Sequence, residues 1–146
     1  MSKESGKLGD FNSDPEKIKI AIIKAKFNSD ITDEMANKSN KRLLELGVKN
    51  IKNFEVPGSF ELPYACKKVI NDFDGIIAIG CLIKGETDHY KYIAQFSTYG
   101  IQKIAIEASK PIIFGILTVE NKQQALDRID SSITYAENAV EMICNY

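Results

Sequence analysis

The chain has 146 residues, 44% hydrophobic and 27% charged, which suits one globular domain with an ordinary core and leaves no room for two. Its formal net charge of -1 conceals an uneven split, because residues 1–16 hold two lysines and four acids while the rest carries 17 basic and 16 acidic side chains. A near-neutral body with no Lys/Arg cluster argues against a nucleic-acid or anionic-membrane surface, yet leaves room for a local basic pocket that meets a small anion.

Residues 1–16 are polar, contain Gly6, Gly9 and Pro15, and show no apolar period. They predict a flexible N-terminal arm ahead of a single domain over 17–146. Four apolar runs rich in β-branched residues then follow: IKIAII (18–23), IKNFEV (51–56), GIIAIG (75–80) and PIIFGILTV (111–119). Helical periods fall between them at about 30–46, ended by Gly47, at about 60–71, and at about 89–108, ended before Pro111. NKQQALDRI and ITYAENAVEMI continue with helical period after the fourth run. Strands apolar on both faces and separated by helices predict a four-stranded parallel sheet covered on both sides, a three-layer α/β/α sandwich. Ligands of such sheets bind beyond the carboxyl ends of the strands, so the four strand-to-helix junctions are where function is to be sought.

The first junction, KAKFNSDIT, offers Ser29, Asp30 or Thr32 as helix caps and Phe27 as a flat ring at the sheet edge. Taken alone, Phe27 fits core packing better, since aromatic side chains mostly serve packing. In the second, VPGSFELP, Pro57 and Gly58 force a turn, Ser59 stands at an expected N-cap and Glu61 falls in the first helical turn. The helix dipole accounts for a carboxylate there, although Ser59, Glu61 and nearby amides also suit a polyol. The third, GCLIKGETDHYKYI, holds His89, the one histidine of the chain. Gly85 permits an unusual backbone conformation, and Glu86 and Thr87 lead into a helix whose first N–H groups form an anion site, with Lys84 at longer range. No GxxxxGK[ST] loop is present. An imidazole beside an anion site can take and return protons near neutral pH, although a lone surface histidine often does nothing but cap. In the fourth, FGILTVENKQQALDR, Phe114 lies within the strand and Arg128 in the first helix beyond it, either a phosphate partner or a solvated charge.

Cys66, Cys81 and Cys144 form no CxxC pair, which points away from a disulfide framework or zinc knuckle and toward a reducing cytosol. No signal-peptide h-region and no run of roughly 20 apolar residues is visible, so a soluble, cytoplasmic protein with no membrane partner is expected.

Together, FNSDIT, VPGSFELP, GCLIKGETDHYKYI and FGILTVENKQQALDR resemble the lumazine synthase family in content, order and spacing, from about residue 18 to 142. The G-x-[LV]-I-[KR]-G-x-T-x-H block and VPGSFE-P are two independent matches. The resemblance implies a flavodoxin-like α/β fold and a transferase of riboflavin biosynthesis. This enzyme condenses 5-amino-6-(D-ribitylamino)uracil with 3,4-dihydroxy-2-butanone 4-phosphate to 6,7-dimethyl-8-ribityllumazine, without metal or cofactor. It implies that Phe27 stacks on the pyrimidine, that Ser59, Phe60 and Glu61 hold the ribityl chain and ring, and that Cys81, Leu82 and Ile83 line the ring with main-chain groups. Gly85, Glu86 and Thr87 would bind the phosphate, Arg128 and Phe114 would come from a neighbouring subunit, and His89 would move protons. It further implies a homopentamer, in some members a 60-subunit shell, with sites between subunits. One departure is the stretch RIDSSITYAENAVEM. It is shorter than the Gly- and Lys-containing linker of many bacterial members, places Ile133 where their lysine faces the phosphate, and looks like the short archaeal form.

Alternatives fit less well. An FMN-binding flavodoxin needs a Ser/Thr/Gly-rich loop after the first strand, and a phosphoacceptor receiver needs clustered acids where Lys24 and Lys26 stand. An archaeal-type riboflavin synthase relative is disfavoured by the GETDH block. An idle lumazine- or flavin-binding shell protein is disfavoured by Glu61, Thr87, His89 and Arg128 occurring together.

Overall fold

Strands β1 (Lys19–Ala25) and β3 (Gly75–Ile83) are the inner pair of the sheet, and their composition dictates that place. Along β3, Ile76, Ala78 and Leu82 point into one core while Ile77, Ile79 and Cys81 point into the other. The side-chain period of two thus fills both faces, and only a strand covered by helices on each side can bury both. Each fully buried isoleucine contributes about 1.5–3 kcal/mol relative to exposure.

The structure is a computed structural model and describes residues 8–146. Its all-parallel sheet has the order β2-β1-β3-β4, with β2 over Asn50–Val56 and β4 over Ile112–Val119. This is the flavodoxin-like order through its fourth strand, and the direction of winding reverses between β1 and β3. Helices α1 (Ser29–Glu45) and α5 (Ser131–Asn145) cover one face. Helices α2 (Leu62–Val69) and α3 (His89–Ala108) cover the other, and the short α4 (Lys122–Leu126) follows β4. The predicted α/β/α sandwich is therefore observed.

Helix ends follow local chemistry. Gly47, at φ 98°, supplies the left-handed residue after α1, and Ser109 takes the same region, at φ 53°, after α3, two residues before Pro111. The helix expected over 60–71 is divided: a 3-10 turn spans Ser59–Glu61, α2 starts at Leu62 with Pro63 in its first turn, and a second 3-10 turn spans Ile70–Asp72. Arg128, expected in the helix after β4, lies instead in the turn between α4 and α5. Of the predicted arm, residues 1–7 lie outside the described residues. The following stretch runs against the end of α5: Asn145 Oδ1 accepts from the Asn12 amide at 2.7 Å, Asn145 Nδ2 donates to the Asp10 carbonyl at 3.1 Å, and Phe11 packs on the α1/α5 core. Among the described residues, no helix is long and apolar enough to cross a membrane.

Candidate active site

The carboxyl ends of β1, β2 and β3 open into a cleft of about 520 Å³. Its first wall is Phe27 with the Pro57–Glu61 turn, Leu82 forms the floor, and the second wall is one face of α3: His89, Tyr92, Ile93 and Phe96. Those four follow the i, i+3, i+4, i+7 spacing that brings side chains onto one helical face. Phe27, Ser59, Phe60, Glu61, Leu82 and His89 are thus six sequence-predicted residues gathered at one place.

Each wall is fixed by its backbone. The Lys26 amide donates to the Val56 carbonyl at 2.8 Å and the Phe27 amide to the Pro57 carbonyl at 3.1 Å, so the β1–β2 ladder continues until it has delivered the ring. The next residue, Asn28, is left-handed (φ 60°, ψ 47°), a conformation that asparagine tolerates better than most residues. It takes the α1 N-cap position from the expected Ser29, Asp30 or Thr32, but its side chain caps nothing. Asn28 Nδ2 instead donates to the Cys81 carbonyl at 2.7 Å, tying the β1 exit to β3 at the switch point. Thr32 Oγ1 turns back to the Ala25 carbonyl, also at 2.7 Å.

The predicted anion loop is exposed beside His89. Thr87 Oγ1 accepts the His89 amide at 3.3 Å, so the hydroxyl already satisfies one free donor of the α3 N-terminus. The unusual conformation expected at Gly85 is absent: among the described glycines only Gly47 has positive φ, and a Cβ on Gly85 would meet nothing within 4 Å. Neither strain nor crowding calls for glycine there within this chain.

Besides the loop residues Gly85, Glu86 and Thr87, four predicted residues do not line the cleft. Cys81 and Ile83 project to the opposite face of β3, toward the α1/α5 core. Phe114 is half-buried on β4 against the α2/α3 core, and Arg128 Nη1 donates to the Gln124 carbonyl at 3.0 Å. Sequence reasoning passed over Tyr92, Ile93 and Phe96, although their spacing from His89 was visible, and also Asn28, whose partner lies 53 residues away.

Burial sets the chemistry of the nearby thiol. It pushes Cys81 up to about 11, with the Asp30 carboxylate acting in the same direction, so the group stays a protonated thiol at neutral pH and is no nucleophile. Asp30 itself is held below the ordinary carboxylate range by its bond to Lys122 at 2.5 Å. Among the described residues, no three His, Cys, Asp or Glu side chains sit together as a metal-ligand group. What the cleft offers is aromatic surface, a carboxylate, an imidazole and an adjoining loop of amides, a set suited to orienting substrates and moving protons.

Comparison with known proteins agrees with that chemistry. Residues 17–146 match the family described as 6,7-dimethyl-8-ribityllumazine synthase. The chain is 38% identical over 134 residues to the 6,7-dimethyl-8-ribityllumazine synthase of Coxiella burnetii, covering 86% of this chain and 89% of that one. It is 39% identical to the enzyme of that name from Paracidovorax citrulli, covering 88% and 87%, and 35% identical to that from Limosilactobacillus reuteri, covering 92% of each. Oxidised flavodoxin 2 from Bacillus cereus aligns at 12% identity with a TM-score of 0.47, over 82% of this chain and 99% of that one. Matched from Lys17 to the last residue, the chain belongs to the 6,7-dimethyl-8-ribityllumazine synthase family, transferases of riboflavin biosynthesis that form the lumazine from 5-amino-6-(D-ribitylamino)uracil and 3,4-dihydroxy-2-butanone 4-phosphate.

Proposed function

We propose that this condensation takes place in the cleft at the carboxyl edge of the sheet and that a neighbouring subunit completes the site. The observation that carries the reading is the convergence of Phe27, Ser59, Phe60, Glu61, Leu82 and His89 on one cavity from three strand ends. Phe27, 65% exposed, presents a ring face on which the pyrimidine stacks, and the half-buried Glu61 accepts hydrogen bonds from ribityl hydroxyls. Ser59 and Phe60 shape the same wall, and the main chain of Cys81, Leu82 and Ile83 borders the ring. Gly85, Glu86 and Thr87 hold the phosphate of the second substrate next to His89.

The amine of one substrate and the ketone of the other already react with each other, so the site needs to align them and supply protons rather than build a strong nucleophile. His89 takes a proton from the attacking amine and returns it to the departing hydroxyl as the imine forms. It serves again when phosphate leaves and when the ribitylamino nitrogen closes the ring with loss of water.

Arg128 and Phe114 act in this reading from the adjacent subunit, since neither lines the cleft of its own chain. The aromatic residues Tyr92, Phe96 and Tyr99, at 62%, 56% and 67% exposure, leave an apolar surface along α3 that a neighbouring subunit would cover. The proposed assembly is a ring of five, with twelve rings closing into a 60-subunit shell as a further step. The proposed setting is the cytoplasm, in keeping with three free, buried cysteines. The test is to mix purified protein with the two substrates and follow lumazine absorbance and phosphate release above the uncatalysed background. Acceleration of both is expected; equal rates with and without protein, for an assembled sample, would leave a binding or scaffold protein.

A further inference from the structure

We propose that Ser97, which holds by its hydroxyl the Ser59 that occupies the space beside Gly80, is a positioning residue that sets the width of the cleft and thereby the affinity for the ribityl-bearing substrate. The inference rests on the reading of the cleft given above. Ser97 lies on α3 one residue beyond Phe96, yet it faces inward and is fully buried. Its hydroxyl donates to the Ser59 carbonyl at 3.0 Å. Among the described residues this is the hydrogen bond that joins the Pro57–Glu61 wall to the α3 wall, and no other crosses between them. From the opposite side, a Cβ added to Gly80 would come within 2.3 Å of Ser59 Oγ, so Ser59 reaches its place only because residue 80 has no side chain. One turn along α3, a Cβ on Gly100 would sit 2.9 Å from Pro63 Cβ, so α3 also packs closely on the start of α2, just beyond the turn.

The consequence is geometric. Phe60 and Glu61 follow Ser59 directly in a tight 3-10 turn, whereas His89 stands two turns before Ser97 on a rigid helix. Holding Ser59 between Gly80 and Ser97 therefore fixes the ribityl-holding side chains relative to the proton-transfer group. The phosphate loop at Gly85, Glu86 and Thr87 is outside this clamp. Removing the hydroxyl leaves the Ser59 carbonyl held only by the Leu62 amide of its own turn, so the turn loses its tie to α3 and is free to shift, and the effect falls on one substrate only.

The experiment is steady-state kinetics of the assembled enzyme with Ser97→Ala, Ser97→Thr and Gly80→Ala, each substrate varied in turn, after wild-type turnover has been established. For Ser97→Ala we expect KM for the ribitylaminouracil to rise about fivefold to twentyfold, with KM for the butanone phosphate unchanged. Ser97→Thr, which keeps the donor, should restore most of the affinity, and Gly80→Ala, which displaces Ser59 from the other side, should raise the same KM. Equal rises in both KM values, an unchanged ribitylaminouracil KM, or no recovery in Ser97→Thr would overturn the proposal. Failure of all three variants to fold would overturn it as well, by making the clamp a requirement of the fold alone. Inactive wild type would instead count against the functional reading, so the two failures are distinguishable.

Discussion

The two helical layers covering the sheet differ in how much of themselves they bury. On one side α1 buries Ile31, Thr32, Met35, Ala36, Ser39 and Leu43, and α5 buries six residues in return. They are also joined by polar contacts, Ser39 Oγ to the Ser132 carbonyl at 2.7 Å and Arg42 to Glu137 at 2.8 Å. On the other side α3, the longest helix, buries only Ser97 and Ile101 while Tyr92, Phe96, Tyr99 and Ile106 are exposed. Tyr90, Ile93, Ala94, Ile104, Ala105 and Ala108 pack partly buried on the core, so the domain accounts for one face of this helix and leaves the aromatic face uncovered. The closed layer serves the fold, and the open layer lines the cleft and offers the face on which the proposed assembly would place a neighbouring copy.

The largest expected effect lies in the open layer. Changing His89 to Ala removes the imidazole from an exposed position in the first turn of α3. Turnover should fall by about 10²- to 10⁴-fold, with sedimentation and circular dichroism unchanged. Near-normal kcat would take His89 out of the proton-transfer role.

Next comes a pair of substitutions that sets the layers against each other. Met35→Ala, in the closed layer, should cost about 2–5 kcal/mol of unfolding free energy through the cavity it opens. Tyr99→Glu, outside the cleft on α3, should leave the subunit fold nearly as stable but weaken subunit association by about 2 kcal/mol or more, and activity should fall as assembly is lost. Urea melts and light scattering separate the two. A Tyr99→Glu protein that assembles and turns over normally would show that the open face has some other purpose.

How far these differences were legible in the sequence depends on the range of the interaction. The alternation of Ile-rich runs with helical periods gave away the layers and the parallel sheet, because burial on both faces is written locally. The start of α3 at His89 was likewise visible. Asn28 was not, since cap preferences rank it level with Ser29 and Asp30, and what selects Asn28 is a carbonyl on β3 that no local pattern announces. Ser97 was hidden for the same reason: a serine on an otherwise apolar helical face declares its partner only when Ser59 is placed beside it. Gly85 misled in the opposite sense, as glycine in a loop suggests a left-handed backbone that the chain does not adopt.

A smaller effect is shared by both layers and depends on pH. Burial pushes the Cys66 thiol, in the α2/α3 core, up to about 12, and the Tyr135 phenol, in the α1/α5 core, also to about 12. Both groups therefore stay neutral in the folded chain at pH values where the unfolded chain has ionised. Their contribution is complete below the unfolded value, 9.0 for the thiol and 10.0 for the phenol, and is lost as pH rises toward the folded one. The melting temperature should decline above about pH 9, and less steeply in Cys66→Ala than in the parent chain. Parallel slopes would mean that the thiol is not shielded.

The smallest effect concerns the edge where the closed layer meets the proposed phosphate site. Ile133 stands in the first turn of α5, 37% exposed, five residues after Arg128 and separated from it only by the turn that ends at Asp130. An apolar side chain there leaves Arg128 as the cation of that turn, and Arg128 is already engaged with the Gln124 carbonyl. Ile133→Lys adds a second positive charge at a position exposed enough to accept it without disturbing the core. An exposed charge pair is worth about 0.2–1 kcal/mol, so KM for the butanone phosphate should fall by about 1.4- to fivefold, and the gain should shrink as salt is added. The ribitylaminouracil KM should not move, because that substrate carries no phosphate. A change in both, or a gain insensitive to salt, would mean that Ile133 acts through packing of α5 rather than through charge, and that the closed layer reaches the cleft by a mechanical route.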